Sequence, residues 1–140
     1  MPTFVLDTSV VIKWYHHANE NHVAQARKVW EEFNEGKINI ILPDILPIEL
    51  FNVFMKAKAS SAERSYSVIA RLYQTPINFV EVSLPVLKIT GNLMEQYNLT
   101  SYDAYFLALA QHEQCKLISD DQKAHGKVKD GTVIMLDRYK

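Results

Sequence analysis

With 140 residues, 48% hydrophobic, 22% charged and only 4 Gly and 5 Pro, the chain has the composition of a single globular domain spanning residues 1–140; a disordered or fibrous chain is excluded. A net charge of −1 excludes the global positive field that commonly marks nucleic-acid binding, so any polyanion must be held locally. The single Cys115 excludes an intramolecular disulfide, no leader pattern opens the chain, and the longest apolar run, Ala104 to Ala110, has seven residues against the ~20 that span a bilayer. A soluble protein with no membrane association, in a reducing, cytoplasmic setting, is expected.

Thr3 to Leu6 is a short apolar run ending in Asp7-Thr8-Ser9, the pattern of a buried strand passing into the polar start of a helix. Val10 to His17 reads as helical. After Asn19, the positions Val23, Ala26, Trp30 and Phe33 recur at spacings of three and four, which predicts a second helix stopped by Gly36. Ile38 to Leu42 is β-branched and predicts a second strand, closed by Pro43. Asp44 is then suited to capping the helix that carries Glu49 to about Lys58, with Pro47 in its first turn. Ser60 and Glu63 resemble a capping box before a helix with Tyr66, Ile69, Ala70 and Tyr73 on one face, ended by Thr75-Pro76.

Phe79 to Val82 predicts a third strand, and Ser83 with Pro85 starts a helix through about Tyr97. Thr100 and Ser101 cap a strongly apolar helix from Tyr102 to about Gln114. Lys116 to Ser119 is a fourth strand, Asp120 to His125 a turn or short helix, and Val133 to Leu136 a fifth strand. Strands alternating with helices predict an α/β fold with a mostly parallel five-stranded sheet and helices on both faces. Ligands of such sheets sit beyond the carboxyl ends of the strands, so residues at strand-to-helix transitions are the first site candidates.

Four acids can face that edge if the strands are parallel neighbours: Asp7 ends the first strand, Glu49 lies early in the helix after the second, Asp103 is in the first turn after a cap, and Asp121 follows the fourth strand. Individually, Asp7 and Asp121 suit turns or caps, and Asp103 suits a helix N-terminus electrostatically. Together at one edge they would repel one another and raise each other's pKa unless a cation neutralised them. Mg²⁺ or Mn²⁺ matches an all-oxygen ligand set, and its chemistry suits phosphodiester hydrolysis without a side-chain nucleophile.

The segments Phe4-Val-Leu-Asp7-Thr8-Ser-Val-Val-Ile-Lys-Trp14, Pro43-Asp-Ile-Leu-Pro-Ile-Glu49-Leu-Phe-Asn52, Ser101-Tyr-Asp103-Ala-Tyr-Phe-Leu-Ala-Leu-Ala110 and Leu117-Ile-Ser119-Asp120-Asp121 resemble, in order, the four motifs of PIN domains of the VapC toxin type. The resemblance implies a three-layer α/β/α PIN-like fold and a Mg²⁺- or Mn²⁺-dependent endoribonuclease acting on RNA. It also implies a homodimer and a cognate antitoxin partner in a type II toxin–antitoxin pair. It further implies that Asp7, Glu49, Asp103 and Asp121 form the catalytic metal site, with Thr8, Asn52 and Ser119 in support. The fourth motif departs from the family in carrying Ser119 where Thr is more usual, followed by an acidic doublet. Alignment on Ser119 favours Asp121 as the inner acid and leaves Asp120 as a turn residue or an outer-shell contributor.

A phosphatase of the haloacid dehalogenase type needs a second Asp two residues after the first, where this chain has Ser9. A receiver domain needs a central Asp after the third strand, where Ser83 stands. The serious alternative is a catalytically inactive PIN-like binding or assembly module, against which the presence of all four acids argues. The five histidines lack metal-ligand spacing and read as solvated or core-edge residues. Cys115 reads as a small buried residue, and Trp14 and Trp30 as core or dimer-contact residues. Lys116, Lys123, Lys127 and Lys129, and separately Lys56 and Lys58, read as solvated surface.

Overall fold

The computed structural model describes residues 1–17, 20–57 and 60–140. Asn19, ahead of the second predicted helix, and Lys58, at the predicted end of the third, lie outside the described residues. Five strands, β1 (Thr3–Leu6), β2 (Asn39–Pro43), β3 (Asn78–Val80), β4 (Lys116–Ser119) and β5 (Val133–Met135), form one all-parallel sheet in the order β3-β2-β1-β4-β5. Val5 pairs with Ile41 on one side and Leu117 on the other, so β1 is the central strand.

The helices are α1 (Thr8–Val11), α2 (Val23–Asn34), α3 (Leu46–Lys56), α4 (Ala62–Tyr73), α5 (Leu84–Tyr97), α6 (Ser101–His112) and α7 (Gln122–His125). From β1 the chain steps outward through β2 to β3, then returns across the sheet to β4 and continues outward to β5. Because parallel crossovers are right-handed, this reversal puts α1 to α4 on one face and α5 and α6 on the other, giving three layers. The contacts agree, with α3 against α4, and α5 against α6. The reversal falls between β1 and β4, where neighbouring strands send their chains in opposite directions and a crevice opens at their carboxyl ends.

The middle of α6 explains why a helix of such low amphipathicity is stable. Every residue from Ala104 to Ala110 is buried, because the helix lies on β1 and β4 with α5 across its back. At the end of α2, Gly36 adopts φ +73°, a left-handed conformation; its N–H reaches Phe33 O and the N–H of Lys37 reaches Glu32 O, which closes the helix with paired carbonyls.

Several local expectations shift. The predicted helix Val10–His17 is shorter: α1 ends at Val11 and passes into a tight 3₁₀ turn at Ile12–Trp14. The β-branched run Val10-Val11-Ile12 crowds its preceding turn, and the Trp14 indole N–H is drawn to Ala26 O at 2.9 Å. Asp44 does not cap α3: its backbone N–H bonds Val80 O and extends the β2–β3 ladder, leaving Ile45 at the cap position. The cap of α4 is Ser61, not Ser60; Ser61 Oγ accepts the Arg64 N–H at 3.1 Å while the Ser60 hydroxyl pairs with Ser65. Trp14 and Trp30 are half-buried and pack on each other at 4.9 Å, at the margin of the core. Lys56, Lys116, Lys123, Lys127 and Lys129 are solvent-exposed.

Leu107 is fully buried at the α6–sheet contact. Leu107→Ala is expected to lower the unfolding free energy by about 2–5 kcal/mol. Urea denaturation checks this as a lower midpoint at unchanged slope.

Candidate active site

Asp7 follows β1 directly, and its backbone N–H continues the sheet by bonding Ile118 O at 2.9 Å. Its side chain turns back to cap α1, Oδ2 accepting the Ser9 N–H at 3.0 Å. Asp121 stands two residues beyond the end of β4 and caps α7, Oδ1 accepting the Ala124 N–H at 3.0 Å. Asp103 lies in the first turn of α6, its N–H held by the Thr100 hydroxyl at 3.2 Å. Glu49 lies in the first turn of α3, and the Thr8 hydroxyl donates to its Oε1 at 2.9 Å. Two of these carboxylates thus cap helices and the other two lie in first turns, where the backbone N–H groups favour negative charge.

Asp7, Glu49, Asp103 and Asp121 line one cavity of about 260 Å³ together with Thr8, Ser9, Ile12, Asn52 and Val53. Asn52, one helical turn after Glu49, is exposed at its rim. Ser119 is fully buried and does not line the cavity; its hydroxyl accepts the Asp121 N–H at 3.1 Å and so fixes the turn from below. Asp120 points away. Its carboxylate binds Lys13 Nζ at 3.0 Å and His22 Nδ1 at 2.9 Å, while its N–H donates to Ser9 Oγ. Lys13 is buried and also binds Glu20 at 2.7 Å. Burial pulls its ammonium pKa down, but hydrogen bonds and charge from Glu20 and Asp120 outweigh this and leave it raised.

Burial pushes the Asp7 carboxyl above its ordinary range, opposed by His125 and the bonds from Ser9 and reinforced by Asp103. Glu49 is pushed up to about 7, chiefly by burial, with Asp7 and Asp103 adding repulsion and the Thr8 bond opposing it. Such a cluster favours a cation. Among the described residues, ligand atoms of Asp7, Asp103 and His125 lie within 4.8 Å of one another. His125, however, has no nitrogen to spare: Nε2 is 2.9 Å from the Asp103 carbonyl, which can only accept, and Nδ1 is 2.7 Å from the Ser119 hydroxyl. The available donors are therefore carboxylate oxygens, a set that fits a hard divalent ion.

The reading of all histidines as solvated or core-edge residues is corrected by His125, which is fully buried. It bonds the β4 end through Ser119 and the start of α6 through Asp103, tying together two elements that carry acids. Its only sequence signal is the four-residue spacing from Asp121, whose carbonyl accepts the His125 N–H at 2.8 Å. Cys115 is half-buried, and burial raises its thiol pKa, as suits an inert side chain.

The family model for the PIN domain matches residues 4–130. Among solved structures, a toxin–antitoxin complex from Klebsiella pneumoniae superimposes with a TM-score of 0.69 at 19% identity, covering 94% of this chain and 96% of that one. A DNA-bound VapBC from Salmonella typhimurium gives 0.72 at 16% identity, covering 97% and 99%. A Mycobacterium tuberculosis VapC described as a sarcin–ricin loop cleaving toxin gives 0.68 at 10% identity, covering 92% and 98%. At these identities the likeness is one of fold. No curated protein sequence matches the chain.

The raised Glu49 pKa gives a signed expectation for the protein in EDTA. Between its ordinary value of 4.5 and about 7 the folded state holds more protons than the unfolded state. The stabilisation is complete below about 4.5 and is lost as pH rises through about 7. Melting temperature should therefore fall across that window, and Glu49→Gln should flatten the fall; equal pH profiles would contradict the assigned environment. His125→Ala should cost about 2–5 kcal/mol in urea unfolding, since it opens a cavity and strips partners from Ser119 and Asp103.

Proposed function

Because the chain belongs to the PIN-domain family, we propose that it is a Mg²⁺- or Mn²⁺-dependent endoribonuclease, with Asp7, Glu49, Asp103 and Asp121 as the residues that hold the ion. The observation that carries this reading is the convergence of the four carboxylates on one cavity with Glu49 pushed up to about 7. A divalent ion bound there would supply Lewis acidity to a phosphoryl oxygen and make water more acidic near neutral pH.

The chain's own groups prepare the site. Ser9 N–H, Ala124 N–H and the Thr8 hydroxyl each engage one oxygen of Asp7, Asp121 and Glu49, which fixes the three carboxylates before any ligand arrives. Glu49, with its carboxyl pushed up to about 7, is suited to accept a proton from an attacking water. Asn52 at the rim can donate to a phosphate oxygen. Ser119 and His125 hold the Asp121 turn and the start of α6 in register and act as positioning residues. Asp120 anchors the same turn through Lys13.

The whole chain is proposed to work as one PIN domain and as the toxin of a type II toxin–antitoxin pair. The likeness to structures described as toxin–antitoxin complexes supports this reading. A basic segment of the antitoxin would be drawn into the acidic crevice. A homodimer is proposed through the apolar groove of about 460 Å³ between α3 and α4, where Ile48, Tyr66 and Tyr73 are exposed.

Cleavage of mixed single-stranded RNAs should require Mg²⁺ or Mn²⁺ and stop in EDTA. Asp7→Asn and Asp121→Asn should each lower cleavage by more than about a hundredfold with unchanged circular dichroism. Asp120→Asn should retain measurable cleavage and lose about 1.5–3 kcal/mol of stability with its ion pairs. A folded wild type that cleaves no RNA with either ion would favour the inactive binding module. Greater loss from Asp120→Asn than from Asp121→Asn would reverse the assignment of the doublet.

A further inference from the structure

A second cavity, of about 290 Å³, is lined from the same 3₁₀ turn that contributes Ile12 to the acidic crevice. Ile12 faces the crevice, whereas the next residues, Lys13, Trp14 and Tyr15, line this cleft together with Trp30 and Arg27 of α2 and Arg71 of α4. We propose that the cleft is a subsite for single-stranded RNA, stacking a base on Trp14 and Trp30 and pairing its phosphates with Arg27 and Arg71. The proposal rests on the ribonuclease reading above for the identity of the ligand.

Three observations carry it. The aromatic surface is offered by its faces: Trp14 has its indole N–H committed to Ala26 O, and the Trp14 and Trp30 rings are inclined at 56°, so neither fully covers the other. Base stacking uses such faces and needs no directional donor from the indole. The charge around them is positive and uncompensated. Among the described residues no acid lines the cleft, Lys13 is neutralised by Glu20 and Asp120, and neither Arg27 nor Arg71 has an ion-pair partner. Both arginines are exposed on their helices, free to meet a phosphate in a planar, two-bond fashion. The cavity lies at the small end of ligand pockets, matched to a base rather than to a folded partner.

The position supplies the reason for RNA over an acidic peptide. Without the ion the four carboxylates repel the phosphodiester, and the chain as a whole carries −1, so a cationic patch beside the crevice adds affinity for RNA that the crevice itself lacks. Consecutive residues of one 3₁₀ turn line the two cavities, so a single strand held in one lies near the other.

The chain's two tryptophans both line this cleft, so tryptophan fluorescence, excited apart from the tyrosines, reports on the subsite. Titrating the protein in EDTA with a short oligoadenylate should give saturable quenching. Arg27→Gln with Arg71→Gln should weaken it at least about tenfold and reduce the salt dependence by about one counterion per lost phosphate contact. In Mn²⁺ the double variant should raise KM more than it lowers kcat. Quenching without cleavage in Mn²⁺ would support the subsite while removing the nuclease assignment. Cleavage with no quenching and an unchanged KM in the double variant would overturn the subsite and leave the nuclease reading standing. Quenching by an acidic aromatic peptide but not by oligoadenylate would overturn it in favour of a protein occupant.

Discussion

Carboxylates held close together with little water around them are expensive, and much of the architecture described above offsets that expense. Asp7 is buried at the end of the central strand, where loss of hydration and the nearby Asp103 both oppose its charge. Against this stand the Ser9 N–H, the neighbouring His125 and the start of α1, each placed by the same strand-to-helix turn or by the turn after β4. Among the described residues Glu49 receives one such bond, from Thr8, which does not offset its burial and the repulsion from Asp7 and Asp103, and its proton affinity rises. A divalent ion relieves what these bonds leave over, so metal affinity and apo instability are two expressions of one repulsion.

The fold was largely legible because its signals are local. Each of the five strands is a short apolar run closed by a polar or Pro residue, and their alternation with helices fixes a parallel sheet. What was not legible depended on contacts between distant residues. For the doublet Asp120-Asp121 the sequence offers only the spacing from Ser119 as a sign of which acid turns inward; in the structure Lys13 and His22, about a hundred residues earlier, draw Asp120 to their side. His125 likewise looks like any helical histidine until β4 and α6 are brought against it. The helix predicted through His17 stops early because Trp14 finds its partner in α2, a contact that periodicity does not encode.

The short 3₁₀ turn at Ile12–Trp14 therefore has more consequence than its length suggests. Its consecutive residues are shared out between an acidic cavity, lined by Ile12, and an aromatic, arginine-flanked cleft, lined by Lys13, Trp14 and Tyr15. Lys13, buried in that turn, binds the acid that would otherwise compete for the crevice. Opposite charges thereby line different cavities to which one turn of backbone contributes.

The sheet margins constrain how any macromolecule can attach. Its outer strands, β3 and β5, are three residues each, and all four ladders of the sheet run parallel. An incoming extended segment would find too few free backbone groups to register as a sixth strand, which also lowers the hazard of edge-to-edge aggregation. Recognition of this protein must accordingly be read in side chains and cavities, and partners that approach in helical or irregular form are favoured over those that present a strand.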